Sequence, residues 1–320
     1  MPSTTRRTAG RFRARRAPLL RTLGGLAFAG AVALATRSAL HARRELAAWR
    51  IAEDRLEHRD TPIPAVAGIG RLTMHARVSR PEHTVYPSVV LVHGLGMSSA
   101  YLAPLAARVG RHADVYAPDL PGHGRSDDDE QPLSIPDLAH ALASWLDAMR
   151  LRGVILVGHS MGTQVATEVA VRRPELVSGL VLLSPTSDPA VRAPARLLGR
   201  SLRTLFAERP SFGLWALSDW RRAGARRVAH ELRETLEHQL ELKLPHVRAP
   251  VRIVRGERDR LVPQRWAEAV ARSANAPRPA AVPGWGHAVQ YDDPDAIVKT
   301  IFTLARSLRA MGRADEAWAA

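Results

Sequence analysis

The stretch LVGHSMGTQ, residues 156–164, places one serine, Ser160, between two glycines directly behind a short apolar run. The run over residues 154–157 is aliphatic and rich in β-branched side chains, which predicts a buried strand that ends at the first glycine. Residues 163–170 then predict a helix. Ser160 would stand at the apex of a tight strand–turn–helix connection, but the same five residues, GHSMG, could also be a plain turn. The rest of the chain decides between these two interpretations.

Length and composition are compatible with one large domain or two smaller ones. The chain has 320 residues, of which 46% are hydrophobic, enough for a sizeable core. It contains no cysteine, which excludes disulfides, a thiolate nucleophile and cysteine-ligated zinc. Any nucleophile must therefore come from another residue type.

The positive charge of the chain is concentrated at its N-terminus. The formal net charge is +15, yet residues 1–50 alone hold 11 Arg and one Glu, a net of +10. The other 270 residues carry 35 basic and 30 acidic side chains, a net of only +5. Most of the basic charge therefore belongs to a tail and not to a basic face of the folded domain, which argues against a nucleic-acid partner.

Residues 1–59 are predicted to be a basic tail with a signal-like or anchor-like segment. Seven arginines precede residues 22–36, which carry no charge and are short for a bilayer span of about 20 residues. The segment fits the hydrophobic region of a secretory signal, with Ala-Leu-Ala at 33–35 as a cleavage candidate. We therefore expect the protein to be membrane-anchored or exported. Four arginines after the segment keep open the alternative of a cytoplasmic protein with a basic extension.

From residue 60 to 311 the chain reads as one α/β domain, followed by a short C-terminal tail over residues 312–320. Apolar strands alternate with helical stretches, one of which should begin at Ser134 as its N-cap. Strands that are apolar throughout predict a mostly parallel, doubly wound sheet covered by helices on both sides. Residues 187–247 contain no convincing strand and are predicted to be an inserted helical lid. The predicted strands cover residues 71–78, 89–92, 114–117, 154–157, 179–183, 251–254 and 280–282.

Polar residues follow several of these strands at the points where they end. Ser160 follows one strand, Asp259 the strand at 251–254, and His287 the last strand. The carboxyl ends of parallel strands meet at one edge of a sheet, so a serine, an acid and a histidine would converge there. This convergence favours chemistry over a plain turn at Ser160.

Five sequence motifs follow one another along the chain: LVHGLG, PDLPGHGRSD, LVGHSMG, GERDRLVP and GWGHAVQYDDP. Together, and in this order, they clearly resemble the motifs of the α/β-hydrolase superfamily over about residues 60 to 310. The resemblance implies a nucleophile elbow at Ser160 and the chain order serine, acid, histidine.

The expected chemistry is nucleophilic catalysis. A serine hydroxyl needs a neighbouring base to become a nucleophile, and His287 is predicted to be that base for Ser160. Asp259, in its G-x-x-D-x-x-V-P setting, is expected to accept the other imidazole N–H. The rival acids left open are Glu257, the nearest, and the more distant Asp292 and Asp293.

The resemblance also implies a cofactor-free site. The backbone N–H groups of Leu95 and Met161 are expected to form the oxyanion hole that an attacked carbonyl needs. Residues 119–127 contain Gly-His-Gly but no accompanying phosphate-binding motif, so a structural turn is expected there. No metal site and no cofactor is predicted.

The predicted substrate is a small apolar acyl or aromatic ester. Aromatic side chains of the predicted lid could line a pocket, or could equally pack the lid onto the core. Arg209 or Arg221 could instead bind a substrate carboxylate, as in carbon–carbon bond hydrolases of the superfamily. The candidate pocket residues are Phe206, Phe212, Trp215 and Trp220.

The sequence thus predicts a serine hydrolase that cleaves carboxylic esters or thioesters through an acyl-enzyme intermediate. Three alternatives stay open: a non-catalytic binding or scaffold member of the fold, an acyltransferase, and a carbon–carbon bond hydrolase. The oligomeric state is not predicted.

Overall fold

A computed structural model describes residues 43–64, 70–128, 131–191, 204 and 208–312 of the chain. The compact unit that contains the sheet is formed within Ala47–Ala320. A second unit covers Met1–Leu46, of which only residues 43–46 are described, and these are helical. The predicted segment at 22–36 lies outside the described residues. No described helix is long and apolar enough to cross a membrane.

An eight-stranded sheet organises the domain, with the strand order β1-β2-β4-β3-β5-β6-β7-β8. The pairs β1–β2 and β2–β4 are antiparallel, whereas every other neighbouring pair is parallel. The predicted mostly parallel sheet is confirmed. The strands are β1 (Glu57–Ile63), β2 (Leu72–Ser79), β3 (Val89–Val92), β4 (Val115–Pro118), β5 (Val154–His159), β6 (Val177–Leu183), β7 (Val251–Gly256) and β8 (Ala280–Val282).

Helices cover both faces of this sheet, as the apolar strands require. In β3, Val90 and Val92 belong to one core and Val89 and Leu91 to the other. The first core includes α2, α3 and α7, and the second includes α1 and α9. The helices are α1 (Ala103–Val109), α2 (Ile135–Ala148), α3 (Met161–Arg172), α4 (Pro210–Ala223), α5 (Ala225–Glu237), α6 (Leu240–Lys243), α7 (Gln264–Ser273), α8 (Val289–Asp292) and α9 (Pro294–Ala310).

The predicted start of α2 is confirmed. Ser134 is its N-cap, and the Ser134 Oγ accepts a hydrogen bond from the Asp137 N–H at 3.3 Å. The Asp137 carboxylate in turn accepts the Ser134 N–H, also at 3.3 Å, so the two residues form a capping box.

The strand that the sequence analysis missed is β1. Its first four residues, Glu57 to Asp60, are polar and exposed, because an edge strand can leave one side in water. The predicted domain boundary after residue 59 falls inside this strand. Helical residues 47–53 also pack on the sheet unit: Trp49 Nε1 donates to the Ala100 carbonyl at 2.6 Å, and Glu53 pairs with Arg77 at 2.9 Å.

The segment between β6 and β7, residues 187–247 and hereafter the insertion, carries α4, α5 and α6. The chain leaves the sheet at the carboxyl end of β6 and re-enters at the amino end of β7. The insertion therefore has to run from the edge that holds Ser160 to the opposite edge. Leu240 of α6 lies in the core with α3 and α7, so the end of the insertion belongs to the helical layer.

Candidate active site

Ser160 stands at a sharp connection between β5 and α3. Its backbone has φ 54° and ψ −122°, a left-handed conformation that a serine rarely adopts. Such strain persists only where the surroundings enforce it, and it is typical of functional positions. The turn projects Ser160 out of the sheet at the amino end of α3.

The glycines on either side of Ser160 are required by close backbone contacts. A Cβ on Gly158 would come within 2.3 Å of the Gly162 carbonyl oxygen. A Cβ on Gly162 would come within 2.5 Å of the carbonyl oxygens of Val92 and His93. The start of α3 is therefore pressed against the end of β3, and any side chain would push the two apart.

The structure brings Ser160, His287 and Asp259 together from three separate loops. His287 Nε2 lies 3.0 Å from Ser160 Oγ, and His287 Nδ1 lies 2.9 Å from Asp259 Oδ2. A neutral imidazole has one donor and one acceptor nitrogen. When Nδ1 donates to the carboxylate, Nε2 is left to accept the serine hydroxyl proton.

Asp259 is held as a buried carboxylate, with only 2% of its surface exposed. Its Oδ1 accepts the N–H groups of Leu261 at 2.9 Å and Val262 at 3.0 Å. Burial raises the pKa of this carboxyl, but His287 and the Val262 N–H lower that pKa by more, so it lies below its usual range. Asp259 therefore stays ionised beside the imidazole.

The His287 ring has its pKa raised above the ordinary value. Burial lowers this pKa, yet the charge and hydrogen bond of Asp259, and the charge of Glu208, outweigh burial. The ring is thus well suited to hold a proton that it takes from a hydroxyl.

The other three acids that the sequence left as candidates for the contact with His287 bind different groups. Glu257 Oε2 accepts the Gly284 N–H at 2.8 Å, and Asp293 Oδ1 accepts the Ala296 N–H at 3.1 Å as the cap of α9. Asp292 Oδ1 lies 3.2 Å from Arg209 Nε. Of the four candidate acids, Asp259 is the one that contacts the His287 imidazole.

The two predicted oxyanion donors belong to segments that adjoin Ser160. Met161 is the first residue of α3, so its N–H has no intrahelical acceptor. Leu95 belongs to the loop after β3, hereafter the oxyanion loop, residues 94–98. This loop passes directly beside Ser160, because a Cβ on Gly94 would lie 3.2 Å from the Ser160 Cβ.

A hydrogen-bonded chain that the sequence analysis missed connects the oxyanion loop to the His287 loop. The Gly94 N–H donates to the Tyr101 hydroxyl at 3.1 Å, and that hydroxyl lies 2.8 Å from His159 Nδ1. His159 Nε2 lies 3.2 Å from the His287 carbonyl oxygen. Burial and the neighbouring His287 lower the pKa of His159 well below its usual value, so this ring is neutral. The only sequence signal was the position of His159 beside the serine.

The candidate pocket residues lie in different surroundings. Trp215 packs on Trp49, with ring centroids 4.6 Å apart. Phe212 packs edge-on against Tyr101, with ring centroids 5.7 Å apart. Trp220 is 46% exposed, and its Nε1 donates to the Leu95 carbonyl at 3.1 Å. Of these three, Trp220 contacts the oxyanion loop directly; Phe206 lies outside the described residues.

Residues 119–127 form a tight turn around a buried carboxylate. Asp119 Oδ1 accepts the Ser99 N–H at 2.6 Å, and Oδ2 accepts the Arg125 N–H at 3.0 Å. Gly124 lies so close that an added Cβ would be 2.2 Å from Asp119 Oδ2. Within the described residues, no group of three His, Asp or Glu side chains could hold a metal ion.

Comparison with known proteins agrees with this architecture. Residues 89–300, well over half of the chain, match the Alpha/beta hydrolase family. The protein belongs to this family and is an enzyme of the hydrolase class.

Its relatives include esterase-type enzymes. The chain is 28% identical over 252 residues to a Pseudomonas savastanoi protein named "Putative carbamate hydrolase RutD", covering 71% of this chain and 97% of that one. It is 28% identical over 250 residues to the pimeloyl-[acyl-carrier protein] methyl ester esterase of Xanthomonas campestris, covering 69% and 96%. A solved structure of a membrane phospholipase A has the same fold, with a TM-score of 0.67 at 21% identity, covering 90% and 99%.

We expect Gly162→Ala to disrupt the connection at Ser160. The added methyl group would meet two backbone oxygens that cannot move independently, so the free energy of unfolding should fall by about 2 kcal/mol or more. Urea titration followed by circular dichroism measures this loss.

Gly213→Ala is the matched control. Gly213 lies inside α4 with no atom near its would-be Cβ. Because alanine favours a helix over glycine by about 1 kcal/mol, the control should be neutral or slightly more stable. Equal stability of Gly162→Ala and the wild type would contradict the steric argument.

Proposed function

We propose that this hydrolase cleaves carboxylic esters or thioesters with Ser160 as nucleophile, His287 as general base and Asp259 as the orienting acid. The proposal rests on two consecutive contacts. Ser160 Oγ lies 3.0 Å from His287 Nε2, and His287 Nδ1 lies 2.9 Å from Asp259 Oδ2. The esterase among the relatives supports the ester substrate class.

Acylation follows from this geometry. His287 Nε2 takes the hydroxyl proton while Ser160 Oγ attacks the carbonyl carbon, and Asp259 stabilises the resulting imidazolium. The carbonyl oxygen becomes an oxyanion that accepts the N–H groups of Leu95 and Met161. The intermediate collapses as His287 returns its proton to the leaving alcohol or thiol, which leaves an acyl group on Ser160.

Deacylation uses the same groups with water as the nucleophile. His287 removes a proton from the water, which attacks the acyl carbon, and then protonates Ser160 Oγ as the carboxylic acid leaves. No step of this proposed mechanism requires a metal or a cofactor.

The contacts of Arg209 favour an ester substrate over a substrate whose carboxylate would have to be bound by this arginine. Arg209 lies over the Trp285 ring at 4.6 Å, and its Nη2 donates to the Asp292 carbonyl at 3.1 Å. The Arg209 guanidinium is therefore engaged by Trp285 and Asp292. Arg221 is exposed.

We further propose that the insertion is a lid that shapes an apolar acyl or aromatic site. Trp220 supports this, because its exposed ring lies against the oxyanion loop and a Cβ on Gly96 would be 2.7 Å from its Cδ1. The contact between Trp215 and Trp49 supports a packing role for Trp215.

A fluorophosphonate probe tests the nucleophile. We expect the probe to label the wild type but not Ser160→Ala, because the phosphorus atom bonds to the activated oxygen. His287→Ala should lower kcat/KM for a p-nitrophenyl ester by about four orders of magnitude or more, since the members of a triad act as a unit.

Ser307→Ala on the exposed side of α9 is the control for this experiment and should be labelled like the wild type. Labelling of Ser160→Ala at the wild-type rate, with its fold intact, would contradict the proposal.

A series of p-nitrophenyl esters of increasing acyl length tests the substrate class. The wild type should prefer medium acyl chains over acetyl, because each buried CH₂ contributes about 0.8 kcal/mol. Trp220→Ala should flatten this preference in kcat/KM more than it lowers the rate on acetate.

Two control variants should keep the wild-type dependence of kcat/KM on acyl length. They are Leu214→Ala, which is also exposed on α4, and Trp215→Ala, whose ring packs on Trp49. If Trp220→Ala keeps this dependence as well, Trp220 does not contact the acyl chain.

We also propose that the N-terminal segment anchors or exports the protein. The support is the arrangement of seven arginines before the uncharged residues 22–36. The full chain should sediment with membranes or appear outside the cytoplasm when it is expressed in cells, as measured by fractionation and immunoblotting. Replacing two central leucines, Leu26 and Leu34, with Arg should move the protein to the cytosol. A wild-type chain found uncleaved in the cytosol would refute the anchor.

A further inference from the structure

Three acidic side chains of the insertion bind main-chain N–H groups of the two loops that carry the proposed chemistry. The first is Glu208, which precedes α4. Its Oε1 accepts the His287 N–H in a short hydrogen bond, and its Oε2 accepts the Ala288 N–H at 3.2 Å. The backbone next to the His287 ring is thus held by a carboxylate that comes from the insertion.

The other two acids hold the oxyanion loop. Asp219 Oδ2 accepts both the N–H and the hydroxyl of Ser98, each at 2.8 Å. Glu231 Oε2 accepts the Gly96 N–H at 2.9 Å. Asp219 lies on α4 and Glu231 on α5, so two helices of the insertion contact the same short loop.

One peptide group of this loop is held from both ends. The carbonyl of Leu95 accepts the Trp220 indole N–H at 3.1 Å, and the N–H of the same peptide group, on Gly96, donates to Glu231. Gly96 has φ +64°, a conformation in which a glycine peptide can rotate readily. Without these two partners, the peptide that follows Leu95 would be free to turn. The preceding peptide, which carries the Leu95 N–H, would then lose a fixed neighbour on its C-terminal side.

Two of these acids lie in the interior of the folded chain. Asp219 and Glu231 are only 6% and 2% exposed. A carboxylate removed from water is stable only when hydrogen bonds or counter-charges replace its hydration. Glu231 Oε1 lies 2.9 Å from His123 Nε2, at ion-pair distance. Burial raises the pKa of Glu231, while His123 and the Gly96 N–H lower it below its usual range.

We propose that the part of the insertion from Glu208 to the end of α5 is a fixed part of the active site, in which Asp219 and Glu231 position the oxyanion loop and Glu208 positions the His287 loop. This inference rests on the proposed serine-hydrolase function. A cover that opens in each cycle would have to expose and rebind these buried carboxylates, whereas a fixed insertion keeps both loops in their reactive arrangement throughout. The three acids are positioning residues, since they act through main-chain groups of other residues.

The experiment compares Glu231→Ala and Asp219→Ala with Glu234→Ala. Glu234 is the matched control, because it is also on α5 and its Oε2 accepts a main-chain N–H, that of Ile135 at 3.4 Å, outside both loops. Misplacing an oxyanion donor weakens transition-state binding more than substrate binding. We expect kcat to fall by about tenfold to a hundredfold in the two test variants, with KM within about threefold of the wild type. The control should keep the wild-type kcat and KM.

The recovery of kcat in Glu231→Gln distinguishes a positioning role of Glu231 from a purely structural one. Its amide oxygen can still accept the Gly96 N–H, so kcat should recover most of the loss seen in Glu231→Ala at similar thermal stability. If Glu231→Ala does not fold, Asp219→Ala and Asp219→Asn provide the same comparison.

Glu208→Gln gives a separate test through the pH profile. His287 must be neutral to act as a base, so kcat/KM rises with pH through its pKa. The Glu208 charge helps to raise that pKa, and its removal should move the acid limb of the profile to lower pH. Glu234→Gln should leave the limb unchanged.

The outcomes separate the two proposals. If Ser160→Ala is still labelled and active, the proposed function itself fails. If Ser160 is confirmed as nucleophile while folded Glu231→Ala and Asp219→Ala keep kcat within threefold of the wild type, the positioning role is wrong. An unchanged acid limb in Glu208→Gln would contradict the effect of the Glu208 charge on the His287 pKa. A folded Glu208→Ala that keeps the wild-type kcat would remove Glu208 from the positioning role.

Discussion

The close approach of backbone at Gly158 and Gly162 is the constraint on which the rest of the site depends. Because neither glycine has a side chain, α3 begins in direct contact with the end of β3. This contact brings the loop after β3 close to Ser160, which directly precedes the first amide of α3. The strained φ of 54° at Ser160 is maintained by the buried strand before it and the buried helix after it.

The site also depends on buried carboxylates. Asp259, Asp219 and Glu231 are all nearly inaccessible to water, and each is compensated by N–H groups or by a histidine. In a region of low dielectric constant such contacts are strong and directional, so they fix loops that would otherwise move. The cost of burying each charge is the reason why all of its partners must be present at once.

The insertion gives this member of a large family its individual character. The α/β-hydrolase sheet is compatible with many reactions, so the fold alone does not determine the substrate. Here helices α4 and α5 supply Trp220 and two acids at the oxyanion loop, and Glu208, which precedes α4, contacts the His287 loop. The neutral His159 and the buried Tyr101 join those loops beneath Ser160. We therefore regard the active site as the joint product of the sheet and the insertion.

The sequence by itself determined the elements with strong local signals. The apolar strands from 89 to 282, the N-cap at Ser134, the family motifs and their order were all predictable, because apolar runs, glycines and caps act within a few residues. The polar edge strand at Glu57–Ile63 was not predictable, since its stability comes from pairing with β2 rather than from its own composition.

Only the tertiary structure decided which distant groups meet. Four acids were candidates for contact with His287, and the register of β7 and β8 brings Asp259 to its Nδ1. The roles of Glu208, Asp219 and Glu231 left no signal in the sequence, because each depends on a main-chain N–H more than 70 residues away along the chain. Contacts of that range depend on packing between whole elements, which local residue patterns do not encode.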